Sequence, residues 1–324
     1  MEQLIQTTNS TVAPKHRSID KAKPFLKWAG GKSQLLNTID TLLPRDFNRR
    51  HNVTYIEPFV GGGAMLFHML KSYPNISKAI INDINNNLVI TYRVIRDLPI
   101  ELIESLSQLQ ASYRALSGQD QQKEFYLDIR TSFNSDNLSD IEVAAYMIFL
   151  NHTCFNGLYR ENSKGEFNVP FGRYANPVIC DKAVLLADSE LLQRVEILHG
   201  DYSQIYEYAD SNTFVYFDPP YRPLDATSSF NTYVKEPFGD AEQIRLKEFY
   251  ERLSAKGCTT MLSNSDCKGR NPDDCFFDNL YMAYNIKRVL AKRSINANPN
   301  KRGFLTELLI LNYTDSIDTV NSLF

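Results

Sequence analysis

Short apolar runs bounded by turn-forming residues recur near both ends of the chain, and this recurrence constrains the fold more than any other feature. Val53–Glu57 and residues 79–82 come early; 195–198, Thr213–Phe217, 259–262 and 307–311 come late. Each is rich in β-branched or aromatic residues and is closed by Gly, Asp, Asn or Pro, as buried strands are. Helical patterns at 64–71 and 241–256 lie between them. Alternation of this kind builds βαβ units and a mostly parallel sheet. The middle differs: from Leu88 to about Leu192 the pattern is mainly helical, with apolar residues at three and four spacing around Leu102, Leu106 and Leu109. Inside it, Asn156 to Tyr174 is rich in Gly, Asn, Arg and aromatic residues and reads as an exposed hairpin or loop. The expected layout is a flexible arm over 1–23, a catalytic domain of 24–91 and 193–324, and an inserted recognition domain over 92–192. No internal repeat or low-complexity tract interrupts it.

Composition narrows the class. Of 324 residues, 43% are hydrophobic and 23% charged, which suits a packed globular chain rather than a disordered one. The longest apolar run, 143–150, covers eight positions. A membrane-spanning helix needs roughly 20. The first residues lack the apolar stretch of a secretory signal, and five cysteines without a C-x-x-C pair suit a reducing interior, so the cytoplasm is the expected location. His152 beside Cys154 lacks two further ligands at suitable spacing, so no metal site is expected there. His152 reads as structural, as do Cys267 and Cys275. The net charge of −3 argues against a protein that coats nucleic acid everywhere. Two stretches are nonetheless basic: 15–32 carries Lys15, Arg17, Lys21, Lys23, Lys27 and Lys32 against Asp20 alone, and 285–306 carries Lys287, Arg288, Lys292, Arg293, Lys301 and Arg302 with no acid. Solvated faces are the commoner fate of such runs, but one sign over a whole segment also suits local contact with a polyanion.

Three constellations can carry chemistry. Glu57-Pro-Phe-Val-Gly-Gly-Gly63 follows a strand and precedes an amphipathic helix, where consecutive glycines permit a tight turn and close approach to a ligand. It is not the G-x-G-x-x-G fingerprint, which disfavours a plain NAD site. Asp83 ends the next strand 22 residues after Gly61. A carboxylate at that spacing accepts from both hydroxyls of a ribose. Taken singly, the glycines make a strand-to-helix turn and Asp83 a helix cap; in register they favour a nucleoside-bearing cofactor. The second constellation, Phe25 to Ser33, ends in Gly-Lys-Ser, but Leu26 stands where a P-loop requires glycine. The third is Asp218-Pro-Pro-Tyr221, at the carboxyl end of Thr213–Phe217, where open α/β sheets bind ligands. An Asp-Pro turn is the plain alternative, yet two prolines stiffen the loop beyond what a turn requires. An exocyclic amine such as adenine N6 is a poor nucleophile, because its lone pair is delocalised into the ring. Two acceptors, the Asp218 carboxylate and the Pro219 carbonyl, can bind both N6 hydrogens and favour a pyramidal nitrogen. Tyr221 can stack on a base held outside the duplex.

Trp28-Ala-Gly-Gly-Lys32, Glu57-Pro-Phe-Val-Gly-Gly-Gly63, Asn82-Asp83-Ile-Asn85, Gly200-Asp201-Tyr202, Asp218-Pro-Pro-Tyr221 and Ser263-Asn264 occur in one order. With Asn156 to Arg160, Gly165 to Tyr174 and Arg293 to Asn298, this set resembles the Dam-type (D12 class, alpha group) N6-adenine DNA methyltransferases over about residues 24–313. The resemblance implies an α/β fold: a Rossmann-like, mostly parallel mixed sheet of the SAM-dependent methyltransferase kind, with an antiparallel strand near 307–311 and an inserted helical DNA-recognition domain. It implies S-adenosyl-L-methionine as cofactor, touched by Trp28, Lys32 and Asp218, with Asp83 on its ribose and Phe59, Gly61 and Gly63 around its methionine. Asp201 and Tyr202 lie near its adenine. The partner implied is double-stranded DNA, methylated at adenine within GATC. Leu158, Arg160 and Pro170 are implied to read bases, Phe155 and Asn156 to fill the space of the flipped adenine, and Arg173, Arg293 and Ser294 to contact the DNA. A cognate restriction endonuclease, repair or a phage are open settings. Amino methyltransferases acting on RNA adenine, cytosine N4 or a glutamine amide, and a DNA-binding module without catalysis, stay open as alternatives. Phe155 stands where the pattern often has Tyr, which keeps stacking and drops a hydroxyl.

Overall fold

The computed structural model describes residues 18–30, 32–222, 238–269, 271–292 and 304–315. Its centre is a seven-stranded sheet: β1 (Val53–Glu57), β2 (Ile76–Asp83), β3 (Val195–His199), β4 (Thr213–Phe217), β5 (Thr259–Ser265), β6 (Asn285–Lys292) and β7 (Phe304–Leu311), in the order β3-β2-β1-β4-β5-β7-β6. The first five strands run parallel, and β7 is inserted antiparallel between β5 and β6. Order reverses between β1 and β4, which makes the gap above those two strands the natural ligand crevice.

Strand β4 is an apolar run buried at every residue because both of its faces are covered. In β4, Phe214 and Tyr216 enter one core while Val215 and Phe217 enter the other, as period-two alternation requires. Helices α8 (Asp240–Ala255) and α9 (Phe276–Leu280) cover the second face through Leu246, Phe249, Tyr250, Leu253 and Phe277. The first face is covered by α1 (Leu36–Leu42), α2 (Ala64–Ser72), α3 (Asn86–Asp97) and α7 (Lys182–Leu192), and its core continues without a break into α4 (Pro99–Ala115), α5 (Gln119–Phe133) and α6 (Asp140–Thr153). Leu102, Tyr113, Tyr126 and Phe149 thus belong to the same apolar cluster as Tyr55 and Phe214. A reciprocal cap starts α6: Ser139 Oγ accepts from Glu142 N, and the Glu142 carboxylate accepts from Ser139 N.

Two local results differ from the sequence reading. Residues 18–23, expected to be the end of a flexible arm, are anchored: Ser18–Lys21 form a 3-10 turn, Ala22 is buried, Lys71 Nζ donates to the Ala22 carbonyl at 2.6 Å, and Lys23 N donates to Asp188 Oδ1 at 3.1 Å. Residues 1–17 of that arm lie outside the described residues. The basic stretch from Asn285 contains a strand, β6, paired with β7 at the sheet edge. Among the described residues no helix is long and apolar enough to cross a membrane.

Candidate active site

Parallel strands end together, so the carboxyl ends of β1, β2 and β4 deliver Glu57, Asp83 and Asp218 to one edge of the sheet. Gly61, with φ 48°, starts the turn between β1 and α2, and Gly63, with φ 75°, caps α2 in the left-handed region. Both positions need glycine. A Cβ on Gly61 would stand 2.8 Å from Trp28 Cδ1, and one on Gly63 2.5 Å from the Tyr92 hydroxyl. Tyr92 in turn donates to the Gly61 carbonyl at 2.9 Å, tying the turn to α3. The Asp83 carboxylate accepts from Gly61 N and from Asn85 N, each at 3.0 Å. It is therefore oriented in advance and keeps lone pairs for further donors. Burial raises its pKa, and the surrounding backbone N–H groups oppose that rise. Asn85, not Asp83, caps α3.

Asp83 is joined to the next strand end through Asn82, whose Nδ2 donates to the carbonyls of Pro58 and Gly200, both at 3.0 Å. Asp201 follows, capping a 3-10 turn through Ser203 N and pairing with Arg245 at 2.7 Å. Tyr202 is brought close but buried: its ring lies 5.2 Å from that of Phe59, with Arg245 stacked at 4.6 Å, so it backs Phe59 rather than facing solvent. Ile84, which the motif reading passed over, is 78% exposed beside Asp83. An exposed aliphatic next to an oriented carboxylate leaves apolar surface open to a ligand; its only signal in sequence is its place after the acid. This donor and surface set fits a nucleoside with a charged tail: an oriented carboxylate, a glycine turn, Phe59 and Ile84.

The tetrad is held at Asp218 and at Tyr221. Lys32 is only 4% exposed, and its Nζ lies 2.8 Å from Asp218 Oδ1, 2.9 Å from the Gly30 carbonyl and 4.5 Å from the centre of the Tyr221 ring. Ser263 Oγ lies 3.0 Å from Asp218 Oδ1 and within reach of the Phe217 carbonyl and the Tyr216 hydroxyl. Burial pushes the Asp218 pKa up, while the Lys32 ammonium and the Ser263 hydroxyl pull it down. Tyr221 donates to Glu307 Oε2 at 2.7 Å, which brings antiparallel β7 into the site. Glu57 is buried and accepts from the Tyr55 hydroxyl at 2.8 Å; desolvation raises its pKa well above the carboxylate range.

The hairpin forms at the expected place. Isolated antiparallel bridges join Cys154 to Phe171 and Glu161 to Phe167. Phe155 is 51% exposed at its base, and Asn156 beside it adopts φ 58°. Pro170 accepts from Phe155 N at 2.8 Å, and Leu158 is half-buried against the core. Arg160 folds along the hairpin, donating from Nε to Asn168 Oδ1 at 2.7 Å, and Arg173 is exposed with φ 56°. Arg293 and Ser294 lie outside the described residues. Trp28 links the two halves of the site: it packs on Gly61 and Gly62, and its ring stacks on Tyr159 at 5.3 Å. Buried Asn151 secures the same joint, exchanging hydrogen bonds with the Lys27 backbone at 2.8 and 2.9 Å and donating to the Gly157 carbonyl at 3.0 Å. His152 approaches the carbonyls of Val178 and Phe25, which is a structural arrangement.

A cavity of about 510 Å³ lies apart from the tetrad, between Phe25, Leu26, the start of α7 and residues 174–179. The charged groups of the crevice do not line it. Among the described residues no group of three or more His, Cys, Asp or Glu side chains is placed to hold a metal ion.

Residues 28–295 match the family model of D12 class N6 adenine-specific DNA methyltransferases. The chain is 49% identical over 296 residues to Type II methyltransferase M.MjaIII of Methanocaldococcus jannaschii, covering 90% of this chain and 100% of that one. It is 40% identical to Type II methyltransferase M1.LlaDCHI of Lactococcus lactis subsp. cremoris, over 90% of this chain and 95% of that one. It is 32% identical to the DNA adenine methylase of Haemophilus influenzae, over 92% and 97%. The sheet order, with its antiparallel β7, is consistent with the S-adenosylmethionine-dependent methyltransferase fold. The chain belongs to the D12 class of N6 adenine-specific DNA methyltransferases and is an adenine-specific DNA methyltransferase.

Proposed function

We propose that the enzyme transfers the methyl group of S-adenosyl-L-methionine to adenine N6 within GATC in double-stranded DNA, after extruding the base into the crevice of Asp218, Pro219, Pro220 and Tyr221. The observation that carries this reading is the seat now taken by Lys32: a nitrogen donor 2.8 Å from a carboxylate oxygen and 4.5 Å from the centre of an aromatic ring. An amino group on a flat base needs the same two partners. Asp218 and the Pro219 carbonyl accept its two hydrogens, Tyr221 stacks on the ring, and the Lys32 ammonium yields the seat while keeping the Gly30 carbonyl and Glu307, 3.9 Å away. Drawing both hydrogens to one side favours a pyramidal nitrogen with its lone pair aimed away from them, so position and electrostatics carry the reaction, and the N6 proton that the methyl group replaces would leave along its hydrogen bond to Asp218 and pass to water.

When bound, S-adenosyl-L-methionine supplies a methyl group made electrophilic by its sulfonium. Asp83 would hold the ribose hydroxyls, Ile84 would carry the adenine face, and Trp28, Phe59, Gly61 and Gly63 would enclose the methionine portion. Asp201 would sit near the cofactor adenine, with Tyr202 behind Phe59. The hairpin within residues 92–192 would enter DNA: Arg160, Leu158 and Pro170 reading bases, Phe155 and Asn156 filling the vacated stack, and Arg173, Arg293 and Ser294 positioning the DNA. Two relatives bear the name Type II methyltransferase, which supports a cognate restriction endonuclease as partner. DNA from expressing cells, digested with GATC-cleaving nucleases of opposite methylation sensitivity, tests the site; nucleoside analysis after labelled methyl transfer tests the atom. Label on N4-methylcytosine, on RNA or on a protein amide would overturn the reading.

A further inference from the structure

Proline has no N–H, so a loop containing two adjacent prolines cannot be fixed through its own donors at those positions. Only its carbonyls offer a grip, and one of them is gripped from inside the protein. Gln243, in the first turns of α8 and completely buried, donates from Nε2 to the Pro220 carbonyl at 3.1 Å. Its own Oε1 accepts from Asn264 Nδ2 at 3.0 Å, and Asn264, equally buried on β5, accepts at Oδ1 from Ser265 N at 2.8 Å. Each amide in this series has one orientation only, because reversing Gln243 would set two donors against each other at Asn264 and two acceptors at Pro220. Adjacent β5 residues point to opposite sides of a sheet. Ser263 accordingly reaches Asp218 while Asn264 reaches Gln243, so one dipeptide steadies the tetrad at Asp218 directly and at Pro220 through Gln243.

We infer that Gln243, backed by Asn264, is a positioning residue for methyl transfer: it anchors the Pro220 carbonyl and so leaves the Pro219 carbonyl to receive the target amine. The inference rests on the proposed reaction for its kinetic consequence, and on the hydrogen-bond series alone for its structural one.

The test compares Gln243→Glu and Gln243→Met with the wild type. In Gln243→Glu one carboxyl oxygen still accepts from Asn264, and the other faces the Pro220 carbonyl. Protonated, that oxygen donates and restores the grip; ionised, it repels, and a buried carboxyl ionises at raised pH. The expected result is a single-turnover rate for Gln243→Glu about tenfold or more below wild type at alkaline pH, recovering toward it as pH falls. Gln243→Met should be slow at every pH, with cofactor and DNA dissociation constants within about twofold of wild type for both variants. Wild-type rates at every pH, or a Gln243→Glu deficit that does not change with pH, would overturn the inference. A second measurement needs no turnover: hydrogen exchange at the amides of Tyr221 and Arg222 should quicken in Gln243→Met while β4 and β5 stay protected. Unchanged exchange there would equally overturn it. Should the wild type place no methyl on adenine, the proposed reaction fails, and the exchange measurement still decides the anchoring role.

Discussion

Asp218 and Lys32 form a coupled pair at the centre of the site, and their substitution separates charge from shape. Asp218→Ala removes the proposed acceptor for the amine and should abolish transfer, with DNA affinity nearly unchanged; retention of substantial activity would contradict the proposed role. Lys32→Met should act through pH. The ammonium holds the Asp218 pKa down against burial, so its loss raises that pKa, and ionised Asp218 then persists only at higher pH. The acid limb of the rate profile should shift to the alkaline side. Away from the site, Asp188 is fully buried, its Oδ2 has no hydrogen-bond partner among the described residues, and burial pushes its pKa up to about 8. A raised acid favours folding most where it is protonated in both states. That stability is complete below the ordinary carboxylate range, declines as pH rises toward about 8, and then levels. Asp188→Asn keeps the acceptor for Lys23 N and removes the ionisation. Its unfolding free energy relative to wild type should climb between pH 4 and 8, by an amount on the order of a few kcal/mol, as denaturant titrations across that range would read. A constant difference across that window would refute the assignment.

At the scale of elements, the parallel strands were readable because each is a run of β-branched or aromatic residues ended by a turn residue, as Thr213–Phe217 before Asp218 shows. β6 was not. As the edge strand it is half-exposed on both faces: Ile286 and Arg288 alternate with Lys287 and Val289, so no apolar stripe appears, and its cations suggested a solvated surface. At the site, motifs marked the strand-end acids Asp83 and Asp218 and the glycine turn, whereas the contacts of Gln243, outside every motif, and of Tyr159, inside one, were not legible. Each works through a partner distant in sequence, Pro220 for one and Trp28 for the other, and no local spacing announces either contact. The hairpin carries its own prediction. Arg160 is exposed and donates to Asn168, and truncating an exposed side chain should leave the fold intact in Arg160→Ala. It should relax discrimination at one base pair by ~1–3 kcal/mol. Equal losses on matched and mismatched duplexes would show that it only positions the DNA.

On the scale of the whole molecule, the helical insert and one face of the sheet share a single apolar core, from Tyr55 and Phe214 through Leu102 to Tyr113 and Phe149. Segments with a common core lose it together, so calorimetry should record one cooperative unfolding transition; two resolved transitions would mean the halves are independently stable. The joint at Lys27 and Trp28 has a practical consequence of the same origin. One indole roofs the glycine turn and underlies Tyr159, and one asparagine side chain, Asn151, laces the neighbouring backbone to the hairpin base. Grafting residues 155–174 alone from a cousin of different sequence preference would therefore install a foreign wall in the recipient's own chamber. A working chimera would have to carry positions 27, 28 and 151 along with the transplanted loop.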